Sequence, residues 1–202
     1  MPISDCEVRD PRIKRTRQLL QNAFRGLLQS RSLDEISVQE ITDAATVNRA
    51  TFYDHYTDKF ALFEAMVAGG FHALLYERNI RFDGTCTSAV TAIVLAACDY
   101  LTQSHAGAEA CKKHNAFQPL MDAAIMRSIR GILMQGMHGE GSEGAAPLSA
   151  EVIASAASWA IYGAVKEWFD TPEHPAAEQI APAIAGLVLP MVTANGILAG
   201  SL

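Results

Sequence analysis

The chain has 202 residues, half of them hydrophobic and 19% charged, with a formal net charge of −6. That is apolar material enough for one large domain or two small ones, and it excludes a disordered or low-complexity chain. The acidic total also argues against a protein coated in positive charge for indiscriminate nucleic-acid binding.

The total conceals a gradient. Residues 9–31 hold seven basic side chains (Arg9, Arg12, Lys14, Arg15, Arg17, Arg25, Arg31) and one acid, Asp10, a local charge of +6. Residues 61–202 hold seven basic and 13 acidic side chains, a charge of −6. Two parts with different partners are expected.

In chain order, almost every segment reads as helix. Asp10-Pro11 is an N-cap followed by proline at the first helical position. Leu20, Ala23, Phe24, Leu27 and Leu28 then recur at helical spacing opposite the basic side chains. Ser37 and Glu40 form a capping box for a short helix carrying Val38, Ile41, Ala44 and Ala45 inward. Asn48 caps a third helix over 49–56, and Asp58 a fourth carrying Phe60, Leu62, Phe63 and Met66. Gly69-Gly70 interrupts that fourth pattern, which permits a bend and places a domain junction nearby. Further helices are expected over 88–103, 108–113, 117–137, 149–169 and 177–198, with a flexible connection over 139–147. Pro190 predicts a kink or early end of the last helix. No alternating strand pattern is present, so the expected class is all-α.

Neither a secretory signal nor a C-x-x-C pair is present, and Cys6, Cys86, Cys98 and Cys111 read as reduced cytoplasmic thiols. Residues 180–202 carry no charge, but their prolines, glycines and lack of basic flanks favour a buried helix over a membrane span.

The informative stretch is 38–56, VQEITDAATVNRATFYDHY. Two short helices joined by a tight turn are what a helix-turn-helix requires, the second offering its N-terminal residues to a DNA major groove. Short helices with small inner residues also occur in ordinary bundles. Residues 11–66 resemble the N-terminal domain of the tetracycline-repressor (TetR) family of bacterial transcriptional regulators. The resemblance rests on the basic first helix, Ile36-Ser37-Val38-x-x-Ile41, Ala44-Ala45-x-Val47-x-Arg49-x-Thr51-Phe52-Tyr53-x-x-Tyr56, and Thr57-Asp58-Lys59-x-x-Leu62. Thr46 stands where the family usually has glycine.

The resemblance implies a three-helix DNA-binding domain (9–57), a connecting helix (58–80) and a helical domain (81–202) that binds a small molecule and dimerises. The implied function is a ligand-responsive regulator, most simply a repressor. It would hold a palindromic double-stranded operator as a cytoplasmic homodimer, without catalysis, metal or cofactor. Asn48, Arg49, Ala50 and Thr51 fall where base edges come within reach, Arg49 for guanine or for phosphate, the Ala50 or Thr51 methyl for thymine. Tyr53 and Lys59 are expected on phosphates, Lys59 through the start of its helix. Arg12 and Arg15 belong to the steering helix, and His55 is either a DNA contact or structural.

Beyond the junction, candidate pocket residues are Leu101, His105, Phe117, Met121, Ile125, Trp159, Tyr162 and Trp168, although side chains of this kind at helical spacing are more often core than pocket. A dimer interface is expected from a small-residue ridge, Ala156, Ala160 and Gly163, and an apolar stripe, Ile184, Leu187, Val188 and Met191. Cys111 and His114 lie one turn apart and offer two metal ligands where three or four are needed.

Overall fold

A computed structural model describes residues 10–78, 87–106, 118–137 and 148–197. These form eight helices and, among the described residues, no strand: α1 (Pro11–Leu28), α2 (Val38–Ala45), α3 (Arg49–His55), α4 (Lys59–Glu77), α5 (Thr87–Ala106), α6 (Gln118–Met137), α7 (Ala150–Asp170) and α8 (Ala177–Ile197). The class is all-α. The expected 108–113 helix, Arg9, Cys6, Cys86, Cys111, His114 and Phe117 lie outside the described residues.

Local chemistry sets the helix starts. The Asp10 carboxylate accepts the Arg12 N–H at 2.8 Å, and Pro11 opens α1 where a missing N–H costs nothing. Ser37 and Glu40 close the capping box on α2, Asn48 caps α3, and Ser149 caps α7. Asp58 accepts the Ala61 N–H at 2.8 Å at the start of α4.

The chain divides into two compact units, Met1–Gly70 with Ala108–Asp122, and Phe71–Gly107 with Ala123–Leu202. In the first, α1 packs on α2 and α2 on α3. Leu20, Phe24, Leu33, Ile36, Ile41, Phe52 and Leu62 are fully enclosed there. In the second, α5, α7 and α8 pack on one another around Ile93, Leu101, Ala157, Ile161, Val165, Ala185 and Val188.

The glycine pair and the prolines lie inside continuous helices. α4 runs unbroken through Gly69-Gly70, since glycine weakens a helix by only about 1 kcal/mol and flanking apolar burial outweighs that. α8 likewise continues through Pro182 and Pro190 to Ile197. Both prolines are exposed, as are Glu178 and Gly186 one turn earlier. On that exposed side of α8, water can satisfy the carbonyls deprived of a donor.

Candidate nucleic-acid interface

The three-helix head is held by a few long-range bonds. Arg17, expected among the basic surface residues, is buried, its guanidinium 5.6 Å from the centre of the Tyr56 ring. Gln21 donates to the Tyr56 hydroxyl at 3.2 Å, so α1 grips the end of α3 through two side chains. Phe52, fully buried, lies 5.4 Å from Tyr53 and 5.9 Å from Tyr56 by ring centres, anchoring α3 from beneath.

Between α2 and α3 the backbone turns at Thr46, in the left-handed region with φ 55° and ψ 43°. The Thr46 N–H reaches the Asp43 carbonyl, and the Val47 N–H the Thr42 carbonyl at 2.9 Å. This closes the end of α2 as glycine usually does. Ala45 is buried as expected, but Ala44 is exposed and Thr42 takes an inward place, its hydroxyl bonded to the Gln39 carbonyl at 2.8 Å.

The outer face of α3 presents Arg49, Ala50, Tyr53 and Asp54 to solvent, with Thr51 and His55 half-buried. Arg49 leans on Tyr53 one turn later, its guanidinium 5.8 Å from the ring centre and 3.4 Å from the hydroxyl. That pairing presents a cation, a phenol and a methyl group on one face. Asn48 is exposed, but its amide oxygen is occupied by the Ala50 N–H at 2.8 Å, leaving its N–H donors to face outward. Asp54, passed over in the sequence, adds an acid beside these groups.

Not all of the basic run is surface charge. Arg12, Lys14, Arg15 and Arg25 are exposed. Arg31 pairs with Glu40 and also donates to the Glu35 carbonyl. Hydrogen bonds from Arg31, then from the Ser37 N–H and hydroxyl, hold the Glu40 carboxyl down to about 2 from 4.5.

Lys59 departs from expectation. Its ammonium donates to the carbonyls of Leu33 at 2.9 Å, Asp34 at 3.1 Å and Ile36 at 2.8 Å. All three of its donors are engaged within the chain, so this geometry leaves no ammonium hydrogen for a phosphate.

Residues 20–66 match the family described as bacterial regulatory proteins, tetR family. The matched residues span the second half of α1, all of α2 and α3, and the start of α4. The HTH-type transcriptional regulator YxbF of Bacillus subtilis (strain 168) is 41% identical over 59 residues, which are 29% of this chain and 16% of that protein. The chain thus spans less than a fifth of that relative's length. A TetR-family regulator from Streptomyces coelicolor A3 has a similar fold, with a TM-score of 0.58 over 92% of this chain and 99% of that one, at 18% identity.

The expected pocket residues are distributed as follows. Leu101, Ile125 and Tyr162 are buried in the second unit, whereas Met121 belongs to the first. Trp159 is 63% exposed and cannot line a buried pocket. Trp168 spends its indole N–H on the Pro175 carbonyl at 2.7 Å and lies 4.1 Å from the His174 ring, fastening the α7–α8 connection. The His105 side chain, like Phe117, is outside the described residues. The second unit instead has an open groove of about 700 Å³, lined by Arg78, Thr87, Ser88, Thr91, Ala92 and Leu95. An Arg78–Asp99 ion pair joins the end of α4 to α5 beside it. Sequence periodicity gave no sign of this groove, because its lining comes from a helix end and a helix start.

The residues expected at an interface divide between core and surface. Ile184 and Val188 are buried within the second unit, since they lie on the face of α8 that meets the other helices. Met191 is half-buried, and Leu187 is 76% exposed. The uncharged exposed face consists of Val152, Ala156, Trp159, Ala160 and Gly163 on α7, and Ala183, Gly186, Leu187 and Pro190 on α8.

Cys98 is buried; burial, then the Asp99 charge, pushes its thiol up to about 12. Among the described residues no group of three or more His, Cys, Asp and Glu side chains is placed to hold a metal. No described helix is long and apolar enough to cross a membrane.

Proposed function

We propose that the chain is a cytoplasmic, dimeric, effector-responsive transcriptional regulator, acting as a repressor on a near-palindromic operator. The observation that carries this reading is the solvent-facing side of α3, with Arg49, Ala50 and Tyr53 together on a tetR-type head whose first helix exposes Arg12, Lys14 and Arg15. α3 enters the major groove; Arg49 and the Ala50 methyl meet base edges, and Tyr53 meets phosphate. The α1 cations supply the sequence-independent attraction.

Dimerisation is supported by the uncharged exposed face of α7 and α8. An apolar surface containing Trp159 and Leu187 is costly in water, and its self-complementary small residues suit a two-fold contact with a second copy. The effector is assigned to the groove beside Arg78, and it releases DNA only by favouring one separation of the two heads over another.

Selection of genomic DNA fragments on the immobilised protein tests the reading. Enrichment of a near two-fold motif, its half-sites about one helical turn or more apart, is expected. A pool that stays unenriched at every salt concentration overturns it.

A further inference from the structure

The ammonium of Lys59 sits among three carbonyls of one short loop, those of Leu33, Asp34 and Ile36, between 2.8 and 3.1 Å away. The carbonyl between the last two, that of Glu35, accepts from Arg31. Four successive carbonyls between α1 and α2 are thus neutralised by two cations. The side chains of Leu33 and Ile36 are fully buried, which fixes the loop from the core side while Lys59 holds it from the other. The Lys59 ammonium also lies 5.5 Å from the centre of the Phe60 ring, a further favourable contact for a cation.

The placement along the chain matters more than the bonds themselves. Ile36 is two residues before α2 begins, and Lys59 is the first residue of α4, so the two bracket α2, the turn and α3. A cation in the first turn of a helix opposes the macrodipole; here it is offset by charge-assisted bonds to the loop.

We propose that Lys59 is a positioning residue, its ammonium stapling together the two ends of the helix-turn-helix through the Leu33, Asp34 and Ile36 carbonyls, and that it supports DNA binding by holding α3 in place. It does so without neutralising a phosphate. The DNA part of the proposal rests on the reading of α3 given above; the staple does not.

Chemical rescue tests both parts. Lys59→Ala leaves a carbonyl-lined space that methylammonium fills and that tetramethylammonium, having no N–H, does not. At equal ionic strength, the variant should melt several degrees below the parent, with part of the loss restored by methylammonium chloride alone. Binding to a mixed-sequence DNA duplex should weaken, with the slope of log affinity against log salt unchanged, and should recover with the same amine. Lys59→Met, which keeps the aliphatic stem packed, should show the same melting loss and the same unchanged slope. An unchanged melting temperature, or equal effects of the two amine salts, overturns the staple. A slope reduced by about one unit in either variant returns Lys59 to the phosphates. If the parent binds no duplex, the DNA reading fails while the two-salt melting comparison still decides the staple.

Discussion

Thr46 shows how a single residue can carry strain for the whole three-helix head. A β-branched side chain at φ 55° costs on the order of 1–3 kcal/mol, and its exposure means that no burial repays it. Thr46→Gly should therefore stabilise the protein by about 1 kcal/mol after glycine's own entropic cost, measured by denaturant unfolding. Glu40 makes an opposite, pH-dependent contribution. Its carboxyl lies at about 2 in the folded chain against an ordinary 4.5. The stability it confers is complete above pH 4.5 and disappears as pH falls toward 2. The gap in melting temperature between the parent and Glu40→Gln should be widest near neutral pH and close over that interval. Cys98, buried and with its thiol at about 12, should resist thiol reagents in the native protein and react only on unfolding.

At the scale of elements, the caps were legible because capping chemistry is local. Asp10, Ser37, Asn48 and Ser149 each bond to an N–H two or three residues away. Helical spacing likewise shows which residues share a face, but not which face meets the core. Ile184 and Val188 therefore read as an interface and prove to be core, while Trp159 reads as pocket and proves to be surface. The bonds of Lys59 were not legible for another reason: its acceptors lie 23 to 26 residues earlier, beyond any local pattern. Two predictions belong here. An added Cβ at Gly69 meets nothing within 4 Å, so Gly69→Ala should stabilise α4 by about 1 kcal/mol, read from the unfolding midpoint. If this face forms the proposed dimer, the parent should sediment as a dimer and Trp159→Glu combined with Leu187→Glu as a folded monomer; a monomeric parent, or a variant that stays dimeric, would contradict it.

For the whole molecule, the net charge of −6 is an average over unlike parts. The fold class and the three-helix head were readable because caps, periodicity and a family pattern agree there. The second unit was readable only as helices, since its groove and outer face depend on how those helices meet. The charge surrounding α1 is smaller than the sequence count, with Arg17 buried and Arg31 paired to Glu40. Salt dependence of DNA binding should accordingly reflect Arg12, Lys14 and Arg15, each phosphate contact removed there lowering the slope by about one unit.

The central claim, that α3 reads base edges, is tested most directly by the ratio of affinities for a selected duplex and a shuffled duplex of equal length, each measured at one salt concentration. A ratio of roughly 10³ or more is expected, falling by about 5- to 150-fold in Arg49→Ala if that side chain reads a base. Equal affinity of the parent for the two duplexes would contradict base reading by α3.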